Sequence, residues 1–138
     1  MVSRTNLHRF VDKARIHAAI AAAQRTTSAP IHVSIAPYFW GSVRRTAERA
    51  FRKHKLAHTS DRNGVLFFLV PSRREFVIIG DIGAHAALGQ HVWDTTAAML
   101  QDSFVRDEAT SGLILGIETI ARALSERFPC VPEQKSAS

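Results

Sequence analysis

The sequence has almost no cysteine and no long apolar segment. Cys130 is the only cysteine, so an internal disulfide framework is excluded and a reducing compartment is indicated. No run of about 18 apolar residues occurs, and we therefore predict no membrane-spanning helix. Charged residues between Arg4 and Lys13 leave no apolar stretch typical of a signal peptide. These absences together predict a cytoplasmic protein.

Acidic residues are also scarce, but only in the first half of the chain. Residues 1–69 hold 12 Lys/Arg and 3 Asp/Glu, whereas residues 70–138 hold 6 and 9. The net charge of +6 therefore comes from the first half, which indicates attraction to an anionic partner. The densest positive charge lies on a predicted helix, where the candidate partner surface comprises Arg44, Arg45, Arg49, Arg52 and Lys53.

Three interpretations of this cationic helix stay open. The commonest reason for such a pattern is a solvated charged face without a partner. The second is a surface for an acidic protein or an anionic membrane. Nucleic acid is the least favoured partner, because no aromatic side chain lies on the outer side of the helix to stack against bases.

Motifs of familiar catalytic machinery are absent from the sequence. No serine lies in a Gly-x-Ser-x-Gly turn, and Cys130 follows the last predicted helix. The segment Gly80–Gly83 has the wrong spacing for a phosphate-binding loop and lacks the following Lys-Ser/Thr. His54 and His58 have the spacing of zinc ligands on a helix, but no glutamate follows His54. We therefore predict no nucleophilic triad, P-loop or zincin-type site.

Hydrophobic periodicity predicts an α/β protein. An alanine-rich helix over residues 6–26 precedes an alternating strand at 31–35, and a helix at 41–55 follows. Two helices end the chain, after a hairpin of continuously apolar strands at 64–70 and 76–79. Because continuously apolar strands are covered on both faces, helices must lie on both sides of the sheet. We predict a three-layer α/β/α sandwich with a small mixed sheet of three to four strands.

One domain accounts for the length of the chain. A chain of this size buries roughly two thirds of its unfolded surface in a single core. We place the domain at residues 1–129, with its last helix beginning after Gly112. Residues 130–138 are expected to form a disordered tail, because prolines end the helix.

The most specific local feature is the segment in which a predicted strand ends at Asp81. With the hairpin turn centred at residues 72–73, antiparallel pairing places Asp81 opposite Gly64. Asp61 and Asn63 therefore lie near Asp81, although twenty residues separate the two aspartates. Carboxylate and amide oxygens are the ligands that Ca²⁺ and Mg²⁺ prefer, so Asp61, Asn63 and Asp81 form a candidate metal site.

A purely structural interpretation of the same residues stays open. Asp81 is suited to cap the following helix through its side-chain oxygen. Asp61 or Asn63 is suited to make an Asx turn before the next strand. The two interpretations are compatible, since a capping aspartate can also face a cleft.

A ligand pocket is predicted beside these acids. Gly80 and Gly83 would permit positive φ angles and a close backbone approach. Trp93 begins an apolar helical stripe and would form core and pocket wall. With a metal bound, His85 would be the candidate acid or base, although no catalytic residue is assigned. The predicted pocket comprises Gly64, Gly80, Gly83, His85 and Trp93.

Three segments resemble the TPM domain family. The first is residues 58–67, which end in Asp-Arg-Asn-Gly-Val-Leu-Phe, and the second runs from Gly80-Asp-x-Gly to Trp93. The third is the last helix, with Arg-Phe-Pro at residues 127–129. The resemblance covers about residues 12–129 and implies an α/β/α sandwich, in agreement with the prediction from periodicity.

The resemblance also carries expectations about function. Family members have been described as calcium-binding and some as acid phosphatases, and several are accessory factors for membrane complexes. Bacterial single-domain members often accompany a membrane-anchored partner of the LemA type. We therefore expect a non-catalytic binding or accessory module with Ca²⁺ or Mg²⁺ as its candidate ligand and a LemA-type protein as its candidate partner. The alternative is a metal-dependent acid phosphatase of low activity.

One departure from the family bears on both functions. Many relatives read Glu-x-x-Thr-x-x-Glu near the end of the first helix, whereas this chain has Gln24, Thr27 and Pro30. Two carboxylates are therefore missing. Their loss weakens the inference of phosphatase activity and leaves open whether metal binding persists.

Overall fold

The computed structural model describes residues 11–36 and 41–130. Within these ranges the chain forms five α-helices and three strands, in the predicted α/β/α arrangement. Their bounds are α1 Lys13–Gln24, β1 Ile31–Ile35, α2 Val43–Lys53, β2 Val65–Val70, β3 Glu75–Gly80, α3 Ile82–Leu88, α4 Gln90–Val105 and α5 Ala109–Arg127. No helix in this described part is long and apolar enough to cross a membrane.

The sheet is mixed, as predicted, and has the order β1-β2-β3. β1 pairs parallel to β2, and β2 pairs antiparallel to β3 through the predicted four-residue loop at 71–74. All of β2 is buried because it lies between two strands and under both helical layers. β3 is equally apolar but only half-buried throughout, because it forms an edge of the sheet.

Side chains alternate along β2 between two separate cores, as the pleat of a strand requires. One face packs against α2 and the short turn at Leu56–His58 that follows it, and the other packs against α1, α3, α4 and α5. The smaller core contains Val43, Ala47, Phe51, Leu56, Leu66, Phe68 and Val70. The continuously apolar strands thus lie under helices on both faces, which confirms the three-layer prediction.

The predicted start of the last helix was wrong, whereas the predicted start of the first helix lies outside the described residues. α1 begins at Lys13 because the Asp12 side chain accepts a hydrogen bond from the Arg15 N–H and caps the helix; residues 6–10 of the predicted helix lie outside the described residues. α5 begins at Ala109, so Gly112 lies inside the helix. A Cβ at Gly112 would collide with Ser103 of α4, and the glycine therefore serves close helix packing.

The sequence did not predict that α3 and α4 are separate helices. Gly89 stands between them with φ of 80° and interrupts the helical path. The expected tail lies outside the described residues, apart from Cys130, whose N–H donates to the Thr26 carbonyl over 3.3 Å.

Candidate functional site

The predicted site residues gather at one end of the sheet, where β1 and β2 begin and β3 ends. We call this the Asp81 end. The Val65 N–H donates to the Pro30 carbonyl over 2.9 Å, and the Asp81 N–H donates to the Gly64 carbonyl over 3.0 Å. The prediction that Asp81 lies opposite Gly64 is therefore confirmed.

Asp81 is held by partners from two directions. Its carboxylate caps α3 by accepting from the Ile82 N–H over 2.9 Å, which confirms the predicted cap. The Arg62 guanidinium donates to both carboxylate oxygens, Nε to Oδ2 over 2.6 Å and Nη2 to Oδ1 over 3.0 Å. Such a two-bond pair is the strongest geometry between a guanidinium and a carboxylate.

The electrostatic environment keeps Asp81 ionised. Burial by itself would raise the pKa of this carboxyl, since only 8% of its side chain is exposed. The Arg62 hydrogen bonds, the Ile82 N–H and the Arg62 charge outweigh burial and lower the pKa below its usual value. Arg62 was missed as a site residue, although it stands between Asp61 and Asn63 and the hairpin register brings it beside Asp81.

Asn63 and Asp61 have different surroundings. Asn63 is buried, and its Oδ1 accepts from the Thr59 hydroxyl over 3.2 Å. The same hydroxyl oxygen accepts from the Asn63 N–H, so Thr59 closes the turn and the predicted Asx turn was wrong. The Asp61 side chain is exposed and makes no hydrogen bond or ion pair with any described residue.

The glycines of this segment allow close backbone contacts. The Gly83 N–H donates to the Arg62 carbonyl over 2.7 Å, and a Cβ at Gly83 would collide with the carbonyl oxygens of Asp61 and Arg62. A Cβ at Gly80 would collide with the indole ring of Trp93. The predicted close approach is confirmed at both positions. Neither Gly80 nor Gly83 adopts the positive φ that a glycine permits.

Three of the predicted pocket residues line a cleft of about 440 Å³ along the open edge of β3, namely Gly80, His85 and Trp93. The His85 ring stacks on the Trp93 ring, with centroids 4.5 Å apart. Trp93 is buried, as its place on the apolar stripe predicted, and its indole N–H has no acceptor among the described residues. Gly64 and Gly83 do not line this cleft.

The candidate metal ligands do not face one another as a ready set of oxygens. Both Asp81 oxygens bind Arg62, and the Asn63 oxygen accepts from Thr59. Only the Asp61 carboxylate is without a described partner. Among the described residues, no three His, Cys, Asp or Glu side chains form a group that would hold a metal ion. Cation binding here would require displacement of Arg62 from Asp81, and it stays a prediction.

Gln24, which stands where many relatives carry glutamate, lies at the same end of the sheet. Gln24 Oε1 accepts from the Ile31 N–H, and Gln24 Nε2 donates to the Ala29 carbonyl, both over 2.9 Å. The neighbouring Thr27 hydroxyl donates to the Phe128 carbonyl over 2.7 Å. A carboxylate has no N–H to donate, so Gln24 uses a property that glutamate lacks to join α1 to β1.

The cationic helix α2 presents its charges outward. Arg44, Arg45, Arg49, Arg52 and Lys53 are all exposed. The only acid on the helix, Glu48, lies 4.0 Å from Arg44. A pair at this distance between exposed side chains contributes little to stability, so the face keeps a large net positive charge.

The structure does not support the helical histidine pair. α2 ends at Lys53, so His54 and His58 do not share a helical face. His54 instead stacks on His32 of β1, with ring centroids 3.8 Å apart. The sequence contained a signal for this contact. His32 is one of the polar residues that alternate with apolar residues in β1, and His54 lies on the inner stripe predicted for the second helix.

Comparison with known proteins decides the family. The sequence matches the TPM domain over residues 6–123. This chain belongs to the TPM domain family. The fold is similar to the NMR structure of the BA42 protein from the psychrophilic bacterium Bizionia argentinensis, with a TM-score of 0.76 and 33% identity over 86% of this chain and 81% of that one. No curated protein matches the TPM chain.

Proposed function

We propose that this TPM domain is a non-catalytic binding or accessory module that docks an acidic partner through the outer face of α2. One observation carries the proposal: five exposed cations stand on one helix with a single acid among them. Uncompensated charge of one sign raises the rate at which an oppositely charged partner associates.

The Asp81 end supports a non-catalytic role. A general acid or base must offer a free proton-transfer atom to substrate, whereas both Asp81 oxygens bind Arg62 and one also caps α3. Asp81 thus has a structural task in the chain. The family resemblance suggests which partner to try first, a membrane-anchored protein of the LemA type.

Charge reversal on α2 tests this proposal. The variant Arg45→Glu/Arg49→Glu/Arg52→Glu should lose salt-sensitive binding to a labelled polyglutamate peptide, measured by fluorescence anisotropy at two ionic strengths. A matched control reverses three exposed cations elsewhere, Arg15, Arg25 and Arg122. Equal binding by both variants would show that α2 is only a solvated face.

The same assay separates the kinds of anionic partner. Duplex DNA and vesicles of anionic lipid replace the peptide in parallel titrations. If the wild-type protein binds DNA more tightly than the peptide, and charge reversal on α2 abolishes that binding, the partner is nucleic acid and not an acidic protein. Preference for vesicles would place the domain on a membrane surface.

Weak binding of Ca²⁺ or Mg²⁺ at the Asp81 end is a second candidate function. The specific observation in its favour is the Asp61 carboxylate, which is exposed and makes no hydrogen bond or ion pair with any described residue. Oxygens of this kind suit hard cations. The cation would compete with Arg62 for Asp81.

A cation titration tests this second function. If it holds, millimolar Ca²⁺ or Mg²⁺ shifts the amide signals of Gly64 and Gly83 and raises the melting temperature, and Asp61→Asn abolishes both effects. Arg62→Gln should strengthen the binding by removing the competing cation. The metal-dependent phosphatase is tested in the same samples by hydrolysis of a generic phosphomonoester, which Asp81→Asn must abolish while the protein stays folded. Absence of any shift would reject the cation site.

A further inference from the structure

We propose that the open edge of β1 binds an extended acidic segment of another protein as an added β-strand. This surface is separate from the outer face of α2 and does not depend on the function proposed above. An added strand gains affinity from main-chain hydrogen bonds and specificity from alternating side chains.

The backbone of β1 has unused hydrogen-bonding groups on its outer side. The Val65 N–H donates to the Pro30 carbonyl and the Ala36 N–H donates to the Leu69 carbonyl, so the even-numbered residues of β1 face β2. Ile31, Val33 and Ile35 therefore direct their N–H and C=O groups to the open edge. Gln24 accepts from the Ile31 N–H, whereas the N–H groups of Val33 and Ile35 have no acceptor among the described residues.

A cleft lies along this edge and gives the added strand a place to pack. It has a volume of about 400 Å³ and runs the whole length of β1. One wall is the side of α1 that carries Ile16 and Ile20, and His54 at the end of α2 stands on the other side. The apolar positions would receive alternate side chains of the incoming strand.

The charge of the lining selects an acidic occupant. Lys13, His17, His32 and His54 line the cleft, and no acidic side chain does so within the described residues. Glutamates or aspartates on the incoming strand would therefore meet the Lys13 ammonium and the imidazole N–H donors, with no acidic side chain of the described lining opposing them.

The same charge disfavours two of the occupants that this chain could itself supply. A second copy would bring its own Lys13 and its net charge of +6 to the edge. Residues 1–10 contain Arg4, His8 and Arg9 and no acid. Both would add positive charge to a positive cleft.

The opposite edge of the sheet fits an acidic segment less well. The cleft along β3 contains Asp94 together with Arg44, so its charges are mixed. The Asp94 carboxylate accepts from the Gln90 side chain over 2.8 Å, which fixes the acid at that edge. The two edges thus provide a comparison within one molecule.

A peptide titration followed by amide NMR tests the proposal. The probe is a short labelled peptide of alternating glutamate and valine; one control peptide has lysine for glutamate, and another has proline for alternate valines. We expect the glutamate peptide to shift and protect the amides of Val33 and Ile35, and the two controls to bind about tenfold or more weakly. Before peptide is added, these two amides should exchange rapidly with solvent.

Two variants separate the edge from general charge. Val33→Pro removes an outward N–H without removing a bond to β2 and should weaken peptide binding, whereas Ile78→Pro makes the matched change on the outer side of β3 and should not. If either proline variant fails to fold, Lys13→Glu/His17→Glu changes only exposed side chains and should weaken binding about tenfold. Arg15→Glu/Arg25→Glu, with one residue on α1 and one directly after it and both outside the cleft, should bind like the wild type.

Each contrary result overturns the inference. Val33 and Ile35 amides that are already protected in the free protein would show that another segment of this chain or a second copy occupies the edge, and sedimentation at increasing concentration distinguishes these two. Shifts at Phe76 and Ile78 would place the peptide on β3. Binding lost only on reversal of Arg45, Arg49 and Arg52 would reject the β1 edge and leave the α2 proposal intact.

Discussion

The Asp81 end and the β1 edge differ in whether their polar groups have hydrogen-bond partners within the described chain. At the Asp81 end, Asp81 has Arg62, Asn63 has Thr59, and Gln24 satisfies two backbone groups. At the β1 edge, the outward N–H groups of Val33 and Ile35 have no acceptor among the described residues. The conspicuous Gly-Asp-x-Gly motif thus belongs to the internally satisfied region, and the open region carries no motif at all.

This difference indicates at which of the two regions a binding partner would form hydrogen bonds without breaking existing ones. A ligand at the Asp81 end must displace a hydrogen-bonded guanidinium, and losing such a bond costs more than an ordinary hydrogen bond contributes. A strand added at β1 meets backbone N–H groups of Val33 and Ile35 to which no described residue is hydrogen-bonded. The predictions that follow remove the internal partners one at a time.

The largest effect is expected from Gly83→Ala. The new Cβ would collide with the carbonyl oxygens of Asp61 and Arg62, which are backbone atoms and cannot rotate away. The free energy of unfolding should fall by about 3 kcal/mol in urea denaturation. The control Gly116→Ala meets neighbours at 3.4–3.7 Å inside α5 and should gain about 0.5–1 kcal/mol. Equal stabilities would mean that residues 61 and 62 are not packed against α3.

Asp81→Asn should cost about 2 kcal/mol, because the buried carboxylate loses its charged bonds to Arg62. The control Asp61→Asn, an exposed acid without a described partner, should change stability by less than about 0.5 kcal/mol. If the two variants were equally stable, the Arg62–Asp81 pair would have no role in the fold.

The same pair has a pH signature. The folded pKa of Asp81 is lowered, so its contribution is present above the unfolded pKa of about 4 and is lost as the pH falls through the folded value. The stability difference between wild type and Asp81→Asn should therefore narrow below about pH 4. A difference that stays constant well below pH 4 would contradict the assignment.

Gln24→Glu restores the acid that many relatives carry and should cost about 1–2 kcal/mol at neutral pH. The carboxylate keeps the bond from the Ile31 N–H but faces the Ala29 carbonyl without a donor. Gln101→Glu, on the exposed side of α4, is the matched control and should be neutral. A stable Gln24→Glu protein would show that glutamine is not required to join α1 to β1.

The smallest effect concerns His32, which lies on β1 and lines the cleft along its open edge. Burial and the charge of His54 lower the pKa of His32, so the unfolded chain binds protons more readily than the folded protein does. The contribution of His32 to stability is therefore complete above about pH 6.5 and is lost as the solution is acidified through the folded pKa. The melting temperature should drop between neutral and mildly acidic pH, and less so in His32→Gln. The control is the variant His91→Gln at an exposed position, in which the melting temperature should change with pH as it does in the wild type.

The site was only partly predictable from sequence. The hairpin register is a count of residues, so the position of Asp81 opposite Gly64 followed directly. The partner of Asp81 did not follow, because Arg62 reaches it through side-chain torsions and a backbone φ of 51° that no periodicity encodes. The role of Gln24 was hidden for a similar reason, since its hydrogen bonds extend to residues 29 and 31 across a turn.

The sequence by itself determined the layers, the mixed sheet and the family, because alternation of apolar side chains is a local property that each element carries independently. Tertiary structure alone decided which polar groups are satisfied. Hydrogen bonds act only over about 3 Å, so whether Asp81 meets Arg62, and whether the β1 backbone meets anything, depends on positions fixed by the whole packed chain.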